Sequence, residues 1–131
     1  MKKLLLLPLL VINLTAFSQS QAEMNQEAHN DYQKADAELN EVYQTILKEY
    51  QEESLFIEKL KAVQRIWITY RDAQLAMKYP YENKGGEYGD GYPACVSNYL
   101  QELTQIRTEQ LRMWVQGVEE GDICSGSIKI N

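Results

Sequence analysis

The sequence predicts an all-α protein: a three-helix bundle with a long Tyr/Gly-rich loop between helices two and three. Three observations carry this. Apolar residues recur three and four apart over three separate stretches. The first two stretches contain no Gly or Pro. Between the second and third, residues 79–94 hold four glycines, two prolines and four tyrosines, which breaks the helical period.

The chain opens with a leader pattern. Lys2 and Lys3 precede an apolar run over residues 4–14, too short for an ordinary membrane span. Small residues around Ala16 and Ser18 suggest cleavage after residue 18, with residue 22 as the alternative end and an uncleaved anchor as the rival reading. No cysteine stands near either site to take a lipid. The expected organisation is a signal peptide over 1–18, a helical domain over 23–118 and a tail over 119–131. The mature protein is expected to be periplasmic or secreted, with no membrane association once the leader is removed.

The first helix is expected over about 24–51. Ala28, Tyr32, Ala35, Leu39, Val42, Ile46 and Tyr50 share one face, and Asn25 is a candidate for its N-cap. The second is expected over about 55–78. Phe56, Leu60, Val63, Trp67, Tyr70 and Gln74 share a face, and Ser54 is its candidate cap. The short join predicts antiparallel neighbours. A single bent helix is the alternative, because the join lacks Gly and Pro. The third helix is expected over about 95–117, with Val96, Tyr99, Leu100, Leu103, Ile106, Leu111 and Trp114 apolar and Gly117 or Gly121 at its end.

Charge and residue types exclude several functions. The chain has 13 basic and 19 acidic residues; without Lys2 and Lys3 the formal charge is −8. That balance argues against nucleic acid and anionic membranes and fits a cationic protein partner. His29 is the only histidine and stands far from both cysteines in sequence, so no metal set is expected, and no cofactor motif is present. No Gly-x-Ser-x-Gly or Cys-x-x-Cys supports a nucleophile. Glu87 and Asp90 are the best carboxylate pair for a small hydrolase, but three short helices offer little groove for a glycan.

Cys95 and Cys124 are the only cysteines, and an even count in an exported chain suggests a disulfide. A helix running straight from Cys95 to Gly117 spans ~33 Å. The extended residues to Cys124 return at most ~25 Å, against the ~7 Å that a bridge allows. The bond closes only if that helix stops early.

Two groups of residues stand out. Asp36 and Asn40 on helix one, and Trp67, Tyr70, Arg71 and Asp72 on helix two, place polar groups beside an aromatic core. They read as a structural clamp, with Asp36 or Asn40 near Arg71, since a guanidinium beside a core needs partners. The loop offers Tyr81, Tyr88 and Tyr92 as anchors and Glu82, Glu87 and Asp90 as charge partners for a protein, because tyrosine gives large contact area at modest entropy cost. The same tyrosines could instead pack on their own protein.

Three motifs in order then resemble a known family. Glu23-Met24-Asn25, Ala28, Tyr32, Ala35-Asp36-Ala37-Glu38-Leu39-Asn40 and Tyr43 form the first. Ala62-Val63-Gln64-Arg65-Ile66-Trp67 with Tyr70-Arg71-Asp72-Ala73 form the second. Gly85-Gly86, Cys95, Leu103-Thr104, Arg107 and Gln110-Leu111 form the third. Together they resemble LprI-like lysozyme-inhibitor domains, over about residues 23–112. Where that family usually carries two further cysteines, this chain has Glu27 and Leu75; their joint loss is what is expected if those two normally bridge the start of helix one to the end of helix two. The resemblance implies an exported, helical, non-enzymatic domain in a family named after members that inhibit lysozyme; with the acidic balance, the expected partner is a protein, a cationic lysozyme. An envelope interaction or stress module without lysozyme activity is the alternative. The sequence leaves the oligomeric state open.

Overall fold

The computed structural model describes the backbone of residues 7–131 and the side chains from Ser20 onward. The leader expected over 1–18, with its cleavage site after Ser18, lies outside the residues whose side chains are described. The protein is all-α, with four helices: α1 (Leu7–Glu49), α2 (Ser54–Lys78), α3 (Lys84–Tyr88) and α4 (Tyr92–Gln116). No helix among the described residues is long and apolar enough to cross a membrane.

The connection between α1 and α2 is a tight turn, not a bend in one helix. Tyr50 N–H still donates to Ile46 O, and Glu53 N–H donates to Tyr50 O at 2.8 Å before α2 begins. Ser54 is the first helical residue, not the cap; Glu53 occupies the cap position and makes no side-chain capping bond.

α1 and α4 form the closest pair, and they run parallel. Asn25 meets Ala94 at one end, and Tyr50 meets Trp114 at the other. The seam explains the closeness. Ala28 and Ala35 are buried on α1, and Ser97, Thr104 and Thr108 are buried on α4. Small side chains let the two axes approach. The Thr108 hydroxyl bonds back to Thr104 O at 2.9 Å, so its polarity is satisfied within the helix.

α2 runs antiparallel to both and is the sparser partner. Phe56 lies 6.2 Å from Trp114 between ring centroids, and Lys78 Nζ lies 3.8 Å from the Tyr99 ring centroid. The core sits where the three long helices meet: Leu39, Val42, Ile46 and Tyr50 from α1, Leu60 from α2 and Leu111 from α4. Leu60 is the one buried residue of α2. Its far half presents Ile66, Tyr70 and Met77 to solvent at 53–70 % exposure.

Two expectations are corrected here. Residues 79–94 are not one irregular loop, because Lys84–Tyr88 forms α3; the Asn83 side chain accepts from Gly86 N–H at 3.2 Å to start it. The Cys95 to Cys124 disulfide is absent. Both thiols are free and exposed. α4 runs its full length, so Cys95 sits in its first turn and Cys124 lies beyond its opposite end, ~30 Å away along the axis.

The tail returns to the α1–α2 turn. Val118 and Ile130 form a parallel bridge. Gly117 ends α4 with φ +75°, where any Cβ would meet the Asn131 side chain and Lys129 O. Tyr50 ties the tail down: its hydroxyl donates to Trp114 O at 2.8 Å and accepts from Lys129 N–H at 3.0 Å. Lys129 Nζ pairs with Glu49 at 2.9 Å, and Trp114 Nε1 donates to Ser127 at 3.0 Å.

Candidate partner-binding surface

The segment between α2 and α4 is built on tyrosine packing against tyrosine. Tyr79 meets Tyr88 at 5.1 Å and Tyr92 at 5.2 Å, both edge to face, and Tyr88 stacks on Tyr92 at 5.4 Å. Offset and edge-on pairs of this kind are favoured by the ring quadrupoles. Tyr81 joins at 6.3 Å from Tyr88, and its backbone N–H donates to the Tyr88 hydroxyl at 3.3 Å. Lys84 Nζ donates to Tyr79 O and lies 6.0 Å from the Tyr88 ring centroid. Burial, then the neighbouring Cys95, Tyr92, Tyr88 and Tyr99, push the Tyr79 pKa above its ordinary 10.0.

The six residues expected to contact a partner divide into two groups. Tyr88 and Tyr92 are half-buried in the cluster. Tyr81, Glu82, Glu87 and Asp90 are exposed, with Tyr81 at 60 %. The rings therefore hold a rim of three carboxylates and one tyrosine out into solvent.

Asn25 fixes this segment to α1. Its carboxamide donates to Asp90 O at 3.0 Å and accepts from Ala94 N–H at 3.3 Å. Ala94 is in the first turn of α4, whose cap residue Gly91 offers no side chain. A residue expected to cap its own helix thus caps another one. Gln21 Nε2 donates to the same Asn25 oxygen at 3.0 Å.

The second group of expected residues meets along α1 and α2. Asp36, Leu39, Asn40 and Tyr43 face Gln64, Trp67 and Ile68 across a cleft of ≈240 Å³. Trp67 is half-buried and packs on the core. Arg71 lies 5.4 Å from the Trp67 ring centroid and donates to Asp72 of its own helix at 2.8 and 3.0 Å, not to Asp36 or Asn40. Tyr70 is 53 % exposed. Tyr32 lies within the field of Arg71, Asp36 and Asp72; burial, the largest effect, raises its pKa.

Sequence reading named two polar residues without assigning the contacts that matter to the architecture. Arg107 reaches from α4 to α2, where Nε donates to Gln64 at 3.0 Å, and burial pushes its pKa down. The Tyr50 hydroxyl joins α1, α4 and the tail. Tyr50 stands on the apolar face of its helix, and nothing in the pattern distinguishes a ring that fills space from one whose hydroxyl also bridges.

Among the described residues, no three His, Cys, Asp or Glu side chains gather to hold a metal. A second cleft, of ≈390 Å³, lies between the α1–α2 turn and the tail, lined by Glu49, Tyr50, Glu53, Phe56, Ser127 and Lys129.

Comparison with known proteins agrees with the motif pattern. An uncharacterised protein of Rhizobium meliloti (strain 1021) is 36 % identical over 111 residues, covering 76 % of this chain and 77 % of its own length. No solved structure matches the chain. Residues 15–111 match the family described as lysozyme inhibitor LprI, a range that runs from within α1 through most of α4 and takes in the Asp36–Trp67 cleft and the tyrosine cluster together. The chain belongs to the lysozyme inhibitor LprI family.

Proposed function

We propose that this protein is an exported, non-enzymatic binding domain that inhibits a cationic lysozyme. In this reading the three long helices act as a three-helix bundle, and residues 79–92 make the contact. The observation that carries it is the exposed rim of Tyr81, Glu82, Glu87 and Asp90, backed by tyrosines that pack on one another. A rim already ordered before binding loses little entropy on contact. Three carboxylates would steer a cationic partner to it and set the orientation of encounter. Family membership supports a lysozyme as that partner.

The test is a titration of the purified protein against c-type, g-type and bacterial muramidases, following binding and residual lysis at two salt concentrations. Stoichiometric inhibition that weakens with salt is the expected result. Tight binding that survives deletion of residues 82–90 would move the contact away from this rim. A folded protein that binds none of the muramidases would leave an envelope interaction module as the reading.

A further inference from the structure

We propose that the outer face of α2 and α4 is a homodimer interface, occupied by the same face of a second copy of this chain. This inference is independent of lysozyme inhibition.

Val63, Ile66, Tyr70, Ala73 and Met77 recur three and four apart along α2. That is the spacing of a helix–helix seam. All five are exposed, with Val63 at 43 %, Ile66 at 66 % and Met77 at 70 %. The stripe is not turned toward the rest of the protein. α2 shows α1 its other flank, where Gln64 and Ile68 line the cleft with Asp36 and Asn40. On α4, Ile106 and Met113 stand seven apart and are 51 % and 48 % exposed. By helical period they lie on the side of α4 away from α1, just beyond the Arg107 and Trp114 positions that meet α2. The two helices therefore turn apolar side chains to the same side; no charged residue interrupts the α2 stripe between Val63 and Met77, while on α4 the exposed Glu109 and Gln110 stand between Ile106 and Met113. A row of exposed large apolar side chains along one helix face marks an interaction site.

A second copy fits because the surface is complementary to itself. Contacts between Phe56 and Trp114, Gln64 and Arg107, and Lys78 and Tyr99 set the height of α2 against α4. At that register Lys59 stands level with Glu109 and Met113, Ile66 with Ile106, and Tyr70 with Glu102. A two-fold axis parallel to the helices lays α2 of each copy on α4 of the other at equal height. Lys59 then meets Glu109 of the partner subunit, Ile66 meets Ile106 of the partner subunit, and the Tyr70 hydroxyl reaches Glu102 of the partner subunit. Each contact forms twice, as an isologous interface requires. Lys59 and Glu109 are both exposed, with side chains 69 % and 71 % accessible, so both are free to exchange local partners for one across the interface.

The test is sedimentation equilibrium of the full chain as processed by its producing cell, from micromolar to near-millimolar concentration. A reversible monomer–dimer equilibrium is expected. Ile66→Glu and Ile106→Glu, both at exposed positions, should each weaken it about a hundredfold or more, with the helical circular dichroism unchanged. Lys59→Glu should weaken it, and adding Glu109→Lys should restore it. Ile123→Ser, at a fully exposed tail position, should change nothing. A folded monomer over the whole range would overturn the proposal. So would a dimer indifferent to both glutamate variants, or a monomer that captures a different protein on this face.

Discussion

Asn25 on α1 accepts a hydrogen bond from the backbone N–H of Ala94 at 3.3 Å, so the first turn of α4 is capped from another helix. The same side chain donates to Asp90 O. One carboxamide thereby fixes both the start of α4 and the acidic rim before it. Asn25→Ala should destabilise the protein by about 1–2 kcal/mol, the usual cost of a lost cap. It should also speed amide exchange at Ala94 more than at Leu111. Urea unfolding and hydrogen exchange measure the two effects.

Tyr50 does at the other end what Asn25 does here. Its hydroxyl accepts from Lys129 N–H and donates to Trp114 O. Tyr50→Phe keeps the ring against Phe56 and removes both bonds. A loss of about 1–2 kcal/mol is expected. The Lys129 amide should exchange faster, and the tail should become a protease site while α1 and α4 stay protected.

Gly117→Ala should release the tail by a different route. The φ of +75° strains any side chain, and Lys129 O stands 2.9 Å from where a Cβ would go. A cost of about 1 kcal/mol or more is expected from the conformation alone. Thermal unfolding with limited proteolysis of residues 118–131 checks it.

Trp67→Ala should cost less than a central core tryptophan would. Trp67 is half-buried beside an open cleft, while Leu60 is 5 % exposed at the meeting of the helices. Leu60→Ala is expected to lose about 2–4 kcal/mol, and Trp67→Ala no more than that despite its larger side chain. Denaturant midpoints of the two variants decide it.

Stability should fall on the alkaline side. The Tyr79 pKa is raised by burial, so the unfolded chain releases that proton first as pH climbs past 10.0. The unfolded state then binds fewer protons than the folded state, and stability declines with rising pH from there until the folded group also ionises. Tyr32 acts in the same direction. Urea midpoints between pH 9 and 11, with tyrosinate absorbance, should show the decline, and Tyr79→Phe should make it shallower.

The helical segments were legible because helix formation reports itself through local period. Ala28, Ala35, Leu39, Val42, Ile46 and Tyr50 share a buried face, as their spacing implies. The same logic failed on α2, where Val63 and Tyr70 fit the apolar period and yet stand exposed. Period marks an apolar stripe but not what covers it. The short helix α3 was missed because Gly85-Gly86 reads as a breaker, whereas Asn83 and the surrounding tyrosines hold that turn closed.

By itself, the sequence determined the all-α class, the three long helical segments, the acidic balance and the family, since each rests on composition, local spacing or short motifs. Only the tertiary structure decided how the parts meet. It paired α1 with α4 through small residues contributed by both, and it kept Cys95 and Cys124 at opposite ends of a helix. It also used Asn25 and Tyr50 as bridges between segments more than sixty residues apart. Those outcomes depend on which faces find each other in space, and no local pattern records the distance between residues remote along the chain.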